Sequence, residues 1–203
     1  MIELIAFAAQ ALAMASTPPL NWSHERGYQA GAAAVEVLID PRGRALRCDM
    51  GATVGDPVNV ARICPLLLAR RWQPARSSAG QPTYAVYRDV AKFTRGAVDN
   101  DPDGFVPTRS IEQVRLTHQI EDFTFSRPDA VKGASVQRTI QATVLVNESG
   151  LIAICDPASA TGPGKLREAA CTGLTGRKLK PQVDPAGLPV AYVTTVKVGF
   201  AEP

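Results

Sequence analysis

The sequence predicts an α+β protein built from two tandem β-β-α-β modules, each a three-stranded antiparallel sheet with one helix packed on it. Three observations predict this. Landmarks recur at a constant displacement of 107 residues without a gap: Cys48 and Cys155, Cys64 and Cys171, Gly43 and Gly150, Pro74 and Pro181, Gly80 and Gly187, Pro82 and Pro189, Phe93 and Phe200. Self-similarity at one fixed period marks a duplicated structural unit. Each copy carries a cysteine pair 16 residues apart (48 to 64, 155 to 171). Within each copy the apolar pattern changes from strand-like to helix-like and back.

The 203 residues and 45% hydrophobic content suffice for two small domains. The net charge of +3 is mildly basic, and Lys and Arg are spread along the chain with no run of five. That spread speaks for a solvated mixed surface and against a nucleic-acid footprint.

Taken in order, residues 1–15 read as a secretory signal peptide. Leu4 to Ala15 is apolar, Ala13-Met14-Ala15 has the small-x-small form of a cleavage site, and Ser16-Thr17-Pro18-Pro19 follows. The stretch is too short to anchor in a bilayer. The expected location is the periplasm, with residues 16–32 as a lead into the first module.

The first module spans 33–93. Ala34-Val35-Glu36-Val37-Leu38-Ile39 is β-branched and apolar, hence a strand. Asp40-Pro41-Arg42-Gly43 is a tight turn, and Arg44 to Met50 returns as the second strand of a hairpin. Asp56-Pro57 is an N-cap with Pro at the first helical position. Val60, Cys64, Leu67 and Leu68 then share one helical face, with Pro65 predicting a kink or irregular start. Arg71-Trp72-Gln73-Pro74-Ala75 and Ala79-Gly80-Gln81-Pro82 lead to a final strand, Thr83 to Phe93.

The intervening segment 94–138 includes Asp99, Asp101 and Asp103, which copy the start of a calcium loop. Its twelfth position is Ser110 rather than Glu, and Pro102 stiffens it, so a polar turn between modules is the other reading. Ile111 to Phe125 has apolar spacing suited to a helix and then a strand.

The second module spans 139–200. Gln141 to Val146 and Leu151 to Asp156 flank the turn Asn147-Glu148-Ser149-Gly150. A helix over Lys165 to Arg177 buries Leu166, Ala170 and Leu174, and is weakened by Gly173 and Gly176. The last strand is Val190 to Phe200, with Val190, Tyr192, Val196, Val198 and Phe200 apolar.

Four cysteines allow three pairings, and the repeat selects Cys48 with Cys64 and Cys155 with Cys171. An even count at equal spacing fits an oxidising compartment. Each bridge closes a loop of about fifteen residues, worth on the order of 3 kcal/mol in the chain-entropy account. Free buried thiols are the other reading. A zinc site would need a close pair or a nearby histidine, and His24 and His118 are the only histidines.

No catalytic motif appears: there is no nucleophile elbow near either histidine, no phosphate loop and no dinucleotide fingerprint. Trp22 and Trp72 suit core packing better than ligand stacking.

The ordered set Asp40, Gly43, Arg70-Arg71-Trp72, Pro74-Ala75, Gly80, Pro82 and Phe93 resembles the TonB C-terminal-domain family, in its exported two-cysteine variety. The second copy matches through Asn147, Gly150, Arg177-Lys178, Pro181, Gly187, Pro189 and Phe200, with Leu179 in place of the aromatic. The resemblance covers 33–93 and 139–200. It implies a non-enzymatic periplasmic protein without cofactor that binds a peptide or protein segment of an envelope partner, such as an outer-membrane transporter, by strand addition. It puts binding on the last strands, at Thr83, Tyr84, Ala85, Val86 and Tyr87, and at Val190, Tyr192 and Val193. A structural or accessory envelope protein that grips no TonB box is the alternative. A hydrolase using a polar cluster around His118 is a weaker one. Coverage of the last strands by the sister module or by 94–138 distinguishes the first two.

Overall fold

The computed structural model describes residues 29–95, 123–126 and 139–201. Residues 1–15, read above as a signal peptide, lie outside them, as do Asp99, Asp101 and Asp103, Trp22 and both histidines.

The first copy begins with the hairpin β1 (Gln29–Ile39) and β2 (Ala45–Gly55). Asp40 makes its turn. The buried carboxylate accepts the backbone N–H groups of Arg42 and Arg44, both at 2.8 Å, and the Arg44 guanidinium at 2.6 Å. Burial pushes the Asp40 carboxyl up, but these hydrogen bonds and the Arg44 charge outweigh it and hold it below the usual carboxylate range. Asn147 serves the second copy with its side-chain oxygen, which accepts the N–H groups of Ser149 and Leu151. Gly43 and Gly150 have φ of 75° and 84°. A Cβ on Gly43 would collide with the Trp72 carbonyl oxygen, and one on Gly150 with that of Leu179. The same glycines accept hydrogen bonds from Trp72 and Leu179 N–H, so each turn clamps the segment leaving the helix.

The helix of the first copy is split into α1 (Pro57–Val60) and α2 (Ile63–Leu68). Asp56 caps α1 by accepting from Val58 and Asn59 N–H. Pro65 has no N–H to offer, so the helix restarts and places Pro65 in a first turn, where none is needed. In the second copy, α3 (Gly164–Leu174) runs unbroken and buries Leu166, Ala170, Cys171 and Leu174. Both predicted disulfides are present, with Cα separations of 5.6 Å for Cys48–Cys64 and 5.2 Å for Cys155–Cys171. Each ties a helix to the second strand of its hairpin.

The remaining strands are β3 (Ala75–Arg76), β4 (Pro82–Arg95), β5 (Phe123–Ser126), β6 (Thr139–Val146), β7 (Ile152–Asp156), β8 (Gln182–Val183), β9 (Pro189–Val190) and β10 (Tyr192–Ala201). Here the predicted fold class is corrected. The chain does not form two modules with separate three-stranded sheets. It is dominated by strand and forms one mixed eight-stranded sheet in the order β2-β1-β4-β10-β6-β7, with β3 on β4 and β5 on β10. Strands β4 and β10 pair in parallel at the centre. The physical reason is exposure: a three-stranded sheet with one helix leaves a face and two edges open. Fusion of the halves hides one edge of each.

The strand alternation shows how the faces are used. Val35, Val37 and Ile39 of β1 cluster with Ile63 and Leu67 of α2, whereas Leu38 and Val86 join the cluster of α3. Reciprocally, Val144, Val146 and Tyr192 pack with α3, whereas Leu145 and Val193 join the cluster of α2. The helices therefore lie on opposite faces, and each half lends residues to the other's core. Leu38 and Leu145 are equivalent under the displacement of 107, as are Val86 and Val193.

Gly173, expected only to weaken its helix, has a packing reason. A Cβ there would stand 2.7 Å from the Phe125 ring of β5, which also meets Phe200 edge-on and lies under the Arg177 guanidinium. Helix propensity alone predicts that Gly173→Ala stabilises by about 1 kcal/mol. The close approach predicts instead a loss of about 1–3 kcal/mol from overpacking, read by urea unfolding. A second expectation concerns acid. Asp40 stabilises the fold fully above the unfolded carboxylate value near 3.9, and that contribution is lost as pH falls through its lowered folded value. Asp40→Asn keeps the turn acceptor, so its cost should be about 1 kcal/mol at pH 7 and shrink below about pH 4 in unfolding curves.

Candidate functional site

The last strands, expected to be open edges, lie inside the sheet. Tyr84, Ala85 and Val86 pair with Tyr192, Val193 and Thr194. The buried Thr194 hydroxyl donates to the Val86 carbonyl at 2.8 Å. The other side of β10 is taken by β6, and its C-terminal end by β5. Thr83 pairs with Ala75 of β3, and Val190 pairs with Gln182 of β8. Tyr87, half-buried, packs with its ring tilted against Trp72, centroids 4.9 Å apart, and donates its hydroxyl to Asp89 at 2.9 Å. Burial and the Asp89 charge push the Tyr87 hydroxyl pKa up. The Asp89 carboxylate also accepts the Val90 N–H at 2.7 Å, which blunts the edge of β4 beyond the seam. Of the predicted binding residues, Tyr84 and Ala85 are thus partnered by Tyr192 and Val193, the others by neighbouring elements, and Trp72 is core, 4% exposed.

A polar cluster that no sequence motif marks lies elsewhere on the sheet. On the face of β1 and β2 opposite α2, Glu36 pairs with Arg88 at 3.2 Å and Arg47 with Asp49 at 2.8 Å. Gln182 arrives from the other half, 1% exposed, and joins them. Its oxygen accepts from Arg47 at 2.6 Å, and its amide nitrogen donates to Glu36 at 3.4 Å. Beside this cluster lies a cleft of about 550 Å³ lined by Glu36, Arg47, Asp49, Met50, Gly51 and Lys180, with Ala34 on its floor. The Tyr192 hydroxyl donates to the Lys180 carbonyl at 2.8 Å and holds that residue at the rim.

The repeat itself shows that this cluster is not needed for the fold. The positions equivalent to Glu36, Arg47, Arg88 and Gln182 are Thr143, Ile154, Thr195 and Ala75. Ala75 is fully buried and Ile154 packs against the core of α2. One copy fills the place with small and apolar groups, the other with four polar side chains. The signal was present in the sequence: Glu36 interrupts an apolar strand that its counterpart continues with Thr143.

Among the described residues no three His, Cys, Asp or Glu side chains converge to hold a metal, and all four cysteines are bonded. The charged and amide groups of the cluster pair with one another. No family model, no curated protein and no solved structure matches the chain.

The polar cluster makes a paired prediction. Glu36→Thr alone should cost about 2 kcal/mol, because it removes the carboxylate that accepts from Arg88 and from the Gln182 amide. The quadruple change Glu36→Thr, Arg47→Ile, Arg88→Thr and Gln182→Ala copies the other half and should recover most of that loss. Equilibrium unfolding of both variants decides; equal loss in both would contradict the reading.

Proposed function

We propose that the protein is an exported, non-enzymatic accessory protein of the cell envelope, akin to the TonB C-terminal-domain family, that binds a protein or peptide segment of an envelope partner. In this reading the last strand of each repeat serves the protein's own assembly instead of gripping a TonB box. The observation that carries it is the β4–β10 seam, where each strand occupies the edge that strand addition would require of the other. Two disulfides support an oxidising compartment. The polar cleft, retained in one half alone, supports recognition over catalysis.

The test is made in intact cells. A photo-reactive residue at position 84 or 192 should cross-link only within the chain, and alkylation of the fractionated protein should find it in the periplasm with no free thiol. Cross-linking of either position to a transporter would restore the TonB-box grip. Recovery in the cytosol with four free thiols would remove the envelope assignment.

A further inference from the structure

We infer that the outer edge of β2 from Met50 to Gly55 receives an extended segment of a partner protein, and that an acidic side chain of that segment enters the adjoining cleft. The inference rests on the binding role proposed above and names its surface and its ligand chemistry.

The sheet order leaves β2 and β7 at its two ends. β7 has five residues, and its outer side is occupied at Ile152, whose N–H donates to the Arg177 carbonyl and whose carbonyl accepts the Gly176 N–H. β2 has eleven residues. Just before it Arg44 bridges to Arg71, and the Cys48 side chain is tied to α2 across the sheet face. From Asp49 onward, among the described strands, it pairs with β1 alone. Met50, Gly51, Thr53 and Gly55 are exposed.

The composition of this edge is the second observation. Met50-Gly51-Ala52-Thr53-Val54-Gly55 carries no charge and no proline, two of the features that protect an edge, and its one irregularity is a bulge where Gly51 and Ala52 together oppose Ala34. The second copy has the protection. Its equivalent positions are Pro157-Ala158-Ser159-Ala160-Thr161-Gly162. There the strand stops at Asp156, and Thr161 folds back onto Gln141 through N–H and hydroxyl contacts of 2.9 and 3.0 Å. The chain thus shows, within itself, how this edge is closed, and the first copy keeps it open. An open edge offers main-chain hydrogen bonds, and adjacent pockets for alternate side chains supply specificity.

The cleft supplies that specificity. Both Glu36 oxygens are engaged, by Arg88 and by Gln182. Asp49 is paired with Arg47. Lys180 is exposed, and among the described residues no ion pair involves it. The balance over Glu36, Asp49, Arg47, Arg88 and Lys180 is therefore one positive charge, carried at the rim. A carboxylate entering beside Gly51 meets Lys180 and Arg47, which line the same cleft.

The experiment uses the purified, disulfide-intact chain and two capped seven-residue peptides of alternating Thr and Val, with Glu or Lys at the centre. Amide shifts should change at residues 50–55, and the Glu peptide should bind about threefold to fivefold more tightly than the Lys peptide, the scale of one rim ion pair. Lys180→Glu, an exposed change, should reverse the preference, with circular dichroism verifying the fold. Shifts confined to other strands, equal binding of both peptides, no binding at millimolar peptide, or self-association of the chain through 50–55 would each overturn the assignment. These outcomes leave the cellular test untouched: periplasmic protein with a closed seam but no peptide preference removes the edge alone, whereas a cytosolic protein with free thiols removes the binding role beneath it.

Discussion

The parallel pairing of β4 with β10 is the contact on which the rest of the structure depends. It spans only Tyr84–Val86 and Tyr192–Thr194. It nevertheless converts two half-covered sheets into one sheet with a helix on each face. The register sets which side chains cross: Ala85 and Val193 point toward α2, while Val86 joins the cluster under α3. Burying an aliphatic side chain is worth about 1.5–3 kcal/mol. The four crossing residues Leu38, Val86, Leu145 and Val193 therefore contribute more than the three residue pairs of backbone suggest.

Symmetry explains why this arrangement is open to a duplicated chain. Here the two copies are related by a twofold rotation about an axis along the paired parallel strands, because equivalent residues such as Val86 and Val193 face opposite helices, and that rotation exchanges the faces of the sheet. Helices of the two copies then fall on opposite sides, and equivalent residues exchange cores. Departures from this symmetry mark positions freed for other roles. Pro157 ends a strand that Met50 continues, and Ala75 and Ile154 fill a space where Gln182 and Arg47 build a polar cluster.

Much of the local structure was legible in the residues. The turns at Asp40-x-x-Gly43 and Asn147-x-x-Gly150, the cap at Asp56, the interruption at Pro65 and both disulfide pairings follow from local chemistry and the repeat. The joining of the halves was not legible. The apolar alternation of Thr83–Phe93 and Val190–Phe200 says that a strand is buried on a face, but not what lies beside its edge. Edge partners are set by backbone groups that every residue shares, so side-chain patterns carry little of that information. Gly173 shows the same limit: propensity reads it as a weakness, and only the Phe125 ring gives its reason. The cleft was half legible, since Glu36 stands out in its strand, whereas Gln182 reaches it from 146 residues away.

Native-state hydrogen exchange reports whether the halves form a single sheet through the seam. The amides of Tyr84–Val86 and Tyr192–Thr194 that face the seam should open only with global unfolding, at the same free energy as Val37 and Val144 in the two cores. Exchange of the seam amides at a clearly lower free energy, with the two halves unfolding in separate steps, would mean that the halves are two sheets and not one.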